Sequence, residues 1–182
     1  MTTRKSTARK TNGGKDAIAL LKADHQRVRR LLDDLEKTQD SAAAKREKLL
    51  ATIEHELKIH TKIEEEVFYP AFFESARKID DRELYFESLE EHHVVDLVLP
   101  EIKEVDPHSD QFAAKAKVLK DLVEHHAEEE ETEMFPRVRK LMARAELVRL
   151  GEDLTRAKAA VRASIVDNGN GGVREGARRP VP

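Results

Sequence analysis

An all-α fold, an up-and-down four-helix bundle with one additional C-terminal helix, is predicted by three features of this 182-residue sequence. Composition is the first. Glycine (7) and proline (6) are few, aromatics make up 4% and charged residues 38%, a mix that suits long amphipathic helices better than a sandwich or barrel. The second is apolar spacing in steps of three and four along most of the chain. The third is an internal repeat. His60-Thr61-Lys62-Ile63-Glu64-Glu65-Glu66-Val67-Phe68-Tyr69-Pro70 returns 66 residues later as His126-Ala127-Glu128-Glu129-Glu130-Glu131-Thr132-Glu133-Met134-Phe135-Pro136. Each copy holds a His, a Glu four residues on, a second Glu beside it and an aromatic-Pro pair. Residues i and i+4 share a helix face, so each copy aims an imidazole and a carboxylate the same way.

Residues 1–15 carry Arg4, Lys5, Arg9, Lys10 and Lys15 and no acid, so they read as a disordered basic arm. The run is short, which makes a solubilising tail the expectation rather than a nucleic-acid contact. A bundle domain is expected over 16–142. Its first helix starts near Asp16, an acceptable N-cap, with Ile18, Leu21, Val28, Leu32 and Leu35 inward and His25 on the same stripe. A break at Asp40-Ser41 precedes a second helix with Leu50, Ile53, Leu57, Val67 and Ala71 inward and His60 and Glu64 between them. Pro70 lacks an N–H and clashes with the carbonyl four residues back, so a kink or break is expected there.

Asp80 with Glu83 reads as a capping box for a third helix, whose stripe is Tyr85, Leu89, Val95, Leu99 and Ile102 with His92 inserted. Asp106-Pro107-His108-Ser109 is a turn. The fourth helix points Phe112, Ala116, Leu119, Val123 and Met134 inward, with His126 and Glu130 in the stripe. A fifth helix over 143–166 carries Leu147, Leu150, Leu154, Val161 and Ile165, and 167–182 is expected to be a disordered tail.

The repeat extends further back. Ala23-Asp24-His25-Gln26-Arg27-Val28 aligns with Glu90-Glu91-His92-His93-Val94-Val95 at an offset of 67. The chain is thus two helical hairpins, each reading acid-His on its first helix and His-x-x-x-Glu on its second. Packed together they bury their stripes as a four-helix bundle. Six polar side chains then fall in the core: His25, His60, Glu64, His92, His126 and Glu130. An unpaired buried carboxylate costs several kcal/mol, a large part of a domain's net stability, so something cationic must hold them. Without cysteine, thiolate catalysis and soft-metal sites are excluded, which leaves His and carboxylate ligation of hard or borderline metals. Four imidazoles and two carboxylates from four helices suit a pair of ions. Ferritin-like carboxylate sites need Glu-x-x-His on two helices, and only Glu90 and His93 make such a pair here.

In that order of motifs, H…HxxxE…H…HxxxE, the span from Asp16 to about Leu141 resembles the hemerythrin-like, or HHE cation-binding, family. The resemblance implies two iron ions in a non-haem centre, completed by an oxo or hydroxo bridge, inside the bundle. His25, His60, His92 and His126 would be terminal ligands, and Glu64 and Glu130 would bridge; manganese or zinc is an alternative to iron. Oxygen-carrying hemerythrins have five histidines, including a His-x-x-x-His pair that this chain lacks. Both metals would keep an open position, which favours reactive chemistry over reversible oxygen carriage. The expected function is therefore binding and reaction with O2, hydrogen peroxide or nitric oxide in stress defence, with catalase-like peroxide decomposition favoured. The alternative is a non-enzymatic sensor or carrier of oxygen, nitric oxide or iron.

Other residues carry weaker expectations. Tyr85, two turns before His92, reads as a core aromatic or a hydrogen-bond donor near the ligands. His55 reads as surface, and His93 and His125 should face outward. Asp24 and Glu91 are placed to hydrogen-bond neighbouring ligands, while the acids around Glu130 read as a solvated face. The net charge of −3 points to no polyanionic partner, and no apolar run approaches a membrane span. A soluble, cytoplasmic protein is expected, its partner a small diatomic or peroxide ligand.

Overall fold

The computed structural model describes residues 15–170, with side chains described to residue 165. The basic arm up to residue 14 and the tail from residue 171 lie outside the described residues. Seven α-helices follow in chain order: α1 (Ala17–Glu36), α2 (Ala43–Ile63), α3 (Tyr69–Ser75), α4 (Ile79–Lys103), α5 (Asp110–Glu129), α6 (Phe135–Leu141) and α7 (Arg144–Asn170). α1, α2–α3, α4 and α5–α6 are the four legs of the bundle, and α7 packs on α1 and α2. The fifth helix runs on to Asn170 rather than ending at residue 166.

Local chemistry sets the ends. Asp16 caps α1, its carboxylate accepting from Ala19 N–H at 2.8 Å. A 3₁₀ turn at Asp40–Ala42 separates α1 from α2, and Ser109 caps α5 by accepting from Phe112 N–H at 3.2 Å. α4 starts one residue before Asp80: the Asp81 carboxylate, not Glu83, accepts from the N–H groups of Arg77 and Lys78 at 3.4 and 3.3 Å. Asp81 wins because burial against Arg137, at 3.2 Å, holds its side chain over the helix start. At the far end of the bundle, buried Arg46 bonds Thr38, Asp40 and the Pro107 carbonyl, tying the α1–α2 turn to the α4–α5 turn.

Neither Pro70 nor Pro136 breaks its leg. Each sits at the start of a short helix (α3, α6) that follows a π-helical turn, Glu64–Phe68 and Glu130–Met134. In these turns Tyr69 N–H bonds the Glu64 carbonyl and Phe135 N–H bonds that of Glu130, each reaching back five residues. The wider turn absorbs the register before the proline ring arrives, so the chain continues where an α-helical ladder would be interrupted. It also rotates the face. Phe68, Tyr69 and Phe72 take the core positions, and Val67 and Ala71 are only half-buried. On α4, Leu84 and Ser88 likewise bury more fully than Tyr85 and Leu89.

The apolar interior is divided. One cluster gathers Leu21, Ile63, Phe68, Phe72, Met134 and Val138 with the buried face of α7. The other gathers Val28, Leu32, Ile53, Leu57, Val95, Leu99, Leu119 and Val123. The six polar residues form a layer between them.

α7 docks by a close backbone approach. A Cβ on Gly151 would lie 2.5 Å from the Lys15 carbonyl oxygen and 3.0 Å from Ala17 N. Both are backbone atoms at the start of α1 and cannot swing away. Gly151→Ala is therefore expected to destabilise the fold by about 1–3 kcal/mol, despite alanine's better helix propensity, as an overpacking cost. Urea unfolding measures it; an unchanged or raised midpoint would show that α7 does not dock this tightly.

Candidate metal centre

The layer is assembled from equivalent positions of the two hairpins. His25 (α1), His60 (α2), His92 (α4) and His126 (α5) are 3–6% exposed, Glu64 is 0% and Glu130 1%. Each of the six stands where a helical stripe would otherwise place Leu, so packing the apolar neighbours fixes where they point. All six sequence-predicted ligand candidates come together. Donor atoms of His25, His60, Glu64 and Glu130 form one group and those of Glu64, His92 and His126 a second, within 4.8 Å of one another in each. Glu64 belongs to both. Its oxygens lie 3.2 Å from His60 Nε2, 3.5 Å from His92 Nε2 and 3.9 Å from His25 Nε2. Glu130 spans the layer the other way, 3.1 Å from His25 Nε2 and 3.9 Å from His126 Nε2.

Outside the layer a ring of carboxylates holds the far side of the imidazoles. His25 Nδ1 bonds Glu131 at 2.9 Å, His92 Nδ1 bonds Glu65 at 2.9 Å, and His126 Nδ1 bonds Glu91 at 2.7 Å. With Nδ1–H donating outward, Nε2 faces inward, the orientation that metal ligation needs. Glu91 fills the role expected of it. Asp24 is one methylene shorter, and its carboxylate stops 4.0 Å from His60 Nδ1, while its other oxygen pairs with Lys158 of α7. Glu131 departs from the solvated-face expectation: it accepts from His25 and from Arg29, the latter at 2.7 Å. The signal that could have found Glu65 and Glu131 is their matched place in the two repeat copies, directly after Glu64 and Glu130.

The chemistry of these donors fits a metal. His92 Nε2 and His126 Nε2 approach to 3.1 Å with both Nδ1 positions bonded outward, which sets two lone pairs against each other. Both oxygens of Glu64 and of Glu130, and His25 Nε2, are buried without a hydrogen-bond partner. Such orphaned acceptors are rare in folded proteins and costly unless a cation satisfies them. Without one, protons stand in. Burial first, and the Glu130 charge second, push the Glu64 carboxyl well above the usual carboxylate range. Burial pulls His25 down, yet the Glu130 carboxylate 3.1 Å from its Nε2 and its bond to Glu131 outweigh this and hold it up at about 9.

The two faces of the layer differ. On the side of Val28, Leu57, Val95 and Val123, a cavity of about 20 Å³ is bordered by all four histidines. A water needs about 10–15 Å³, so the chamber has room for one small molecule. The opposite face is closed by the aromatic of each repeat. The Phe135 ring stacks on His25, centroids 5.8 Å apart, and Tyr69 Oη lies 3.2 Å from His92 Nε2 and 3.5 Å from His126 Nε2. Burial, then the Glu130 and Glu64 charges, keeps this phenol protonated. Tyr69 is the functional-site residue that helical periodicity misses, because five residues from Glu64 is off-face until the π turn intervenes. Tyr85 packs edge-on against Tyr69 instead, at 6.2 Å, and is a core aromatic. His55 is half-buried outside the converging groups, and His93 and His125 are exposed, as expected.

Comparison with known proteins follows the same lines. Residues 16–138 match the family model described as the hemerythrin HHE cation binding domain. A crystal structure of a hemerythrin HHE cation binding domain-containing protein from Mycobacterium kansasii superposes with a TM-score of 0.74 at 25% identity, covering 87% of this chain and 95% of that one. A DNA nickase from Nostoc sp. (strain PCC 7120) is 26% identical over 142 residues, 78% of this chain; the chain spans only 39% of that relative's length. Two hairpins, a buried layer of histidines and glutamates, and a match across the whole bundle agree: the chain belongs to the hemerythrin HHE cation-binding domain family.

Proposed function

We propose that this protein is a non-haem di-iron protein that binds and reacts with O2, hydrogen peroxide or nitric oxide in oxidative or nitrosative stress defence, with catalase-like peroxide decomposition favoured. The observation that carries the proposal is the apolar cavity bordered by all four histidines, set directly against the layer of inward-facing donors. His25, His60, Glu64 and Glu130 would hold one ion and His92, His126 and Glu64 the other, with Glu130 in reach of both; manganese or zinc suits the same donors. Bound iron would supply ligand binding and electron exchange. The second group offers fewer donors, which leaves room for a ligand from the cavity.

The chain's own residues do the rest. Glu64 and Glu130 balance the metal charge in a site with almost no solvent. Glu65, Glu91 and Glu131 keep protons on Nδ1 and fix each ring, which strengthens Nε2 as a donor. Val28, Leu57, Val95 and Val123 admit a small uncharged molecule and disfavour ions. Tyr69 holds a proton at Oη on the opposite face, where the other hairpin has only Phe135.

A second reading, a sensor or carrier without turnover, is favoured by one contact. Lys158 reaches from α7 to Asp24, behind His60, so the fifth helix touches the ring of carboxylates directly. Nicking is not carried over to this chain, which spans 39% of that relative.

Metal analysis should find two ions per chain, and the iron-loaded protein should evolve O2 rapidly from peroxide. His126→Ala should cut that rate by at least about tenfold, the scale of losing a metal-ligand set's support. Iron-loaded protein that forms stable adducts but does not turn over would leave the sensor reading standing instead. Glu131→Gln keeps the shape of the His25 partner but removes its charge, and metal affinity should fall about 10–100-fold by competition titration. An unaffected affinity would count against the carboxylate's tuning role. Loading at neutral pH should also release protons, because metal displaces the one that His25 retains up to about 9. Affinity should accordingly strengthen as pH rises towards that value; a pH-independent isotherm would contradict this.

A further inference from the structure

We propose that the outer face of α4 is the contact between two copies of this chain, packed antiparallel about a two-fold axis level with the Glu91–His92 peptide. The bundle is covered unevenly. α7 lies over α1 and α2, while on the back of α4 only the ring of Phe73 from α3 reaches Phe86, centroids 6.1 Å apart, and leaves it half exposed. Among the described residues five large apolar side chains are exposed, and four are on this helix: Ile79 (74%), Phe86 (54%), Val94 (39%) and Leu97 (57%). Single exposed hydrophobes need no explanation, but a row on one helix does.

The row is opposite the core. At 100° per residue, the pole facing away from Leu84, Ser88, His92, Val95 and Leu99 is occupied by Ile79, Phe86, Glu90, His93 and Leu97. The spacing of seven, four, three and four is a coiled-coil seam on a globular surface. Val118 of α5, 51% exposed, stands one turn beyond Lys115, which pairs with Glu101, and so widens the patch at the Leu97 end.

The occupant follows from symmetry. A two-fold interface must be complementary to itself. Phe86 and Leu97 lie equal distances either side of the midpoint of Glu91 and His92, and so do Glu90 and His93. In an antiparallel pair, each Phe86 therefore meets the partner's Leu97, and each Glu90 the partner's His93. Two apolar contacts and two acid–base contacts result. Glu87 and Asp96 would also be level, but each is about a quarter-turn off the pole and stays in solvent. A parallel pairing would instead set Glu90 against Glu90. Reversal is what this pattern selects.

Magnitude sets the kind of dimer. α4 has 25 residues and is about 37 Å long. One helix pair of that length gives an interface at the small end of stable complexes, so association should be reversible and concentration-dependent.

Sedimentation equilibrium on the full chain tests this. The protein should dimerise as its concentration rises to about 100 µM, the range of a small interface. Phe86→Asp, an exposed change that leaves the helix content seen by circular dichroism unaltered, should return it to monomer. The chain has no cysteine, which permits a test of register. A Phe86→Cys and Leu97→Cys double variant should form a disulfide-linked dimer on mild oxidation, and neither single variant should. Monomer at every concentration, a dimer indifferent to Phe86→Asp, or cross-linking of the single variants but not the double would each overturn the proposal.

Discussion

Two carboxylates with no solvent and no hydrogen-bond partner cannot coexist in a helical interior unless a cation holds them. Glu64 and Glu130 impose that constraint, and most of the structure answers to it. The cost of leaving even one such group unmatched approaches the whole net stability of a domain. The four histidines turn their Nε2 lone pairs to the same point, an outer ring of acids keeps their Nδ1 protons facing away, and apolar side chains close the layer above and below. Each arrangement makes sense only with positive charge at the centre.

The duplicated halves have not stayed equal. Tyr69 stands where Phe135 stands in the other copy, and Asp24 where Glu91 stands. The first difference puts a hydroxyl beside His92 and His126 and a bare ring on His25. The second leaves His60 Nδ1 without a bonded carboxylate, its neighbouring acid engaged by Lys158. Two hairpins that match in their histidines and glutamates therefore differ in the groups behind the imidazoles, which set their donor strength.

What was readable in the sequence tracks what α-helical geometry controls. His25, His60, Glu64, His92, His126 and Glu130 all lie on regular stripes, so a period of 3.6 finds them. Glu65 and Tyr69 lie on or just past a π turn, where that period fails. Pro70 signalled an interruption, but not that a wider turn would resolve it without a break. Glu131 was hidden differently: in a run of acids, only the three-dimensional approach of α1 tells the one holding His25 from those facing water. Lys78 rather than Asp80 caps α4 because Arg137, 56 residues beyond Asp81, pins that carboxylate. Long-range partners of that kind leave no local trace.

The polar layer divides the interior into two apolar clusters joined by helices but sharing little packing. A protein cooperates in unfolding only as far as its parts depend on one another's burial. Bound metal, tied to all four legs at one level, would be the element that welds the upper and lower halves into a single unit. Stripped of it, the two ends of the bundle would have less to hold them to one another and would loosen one at a time.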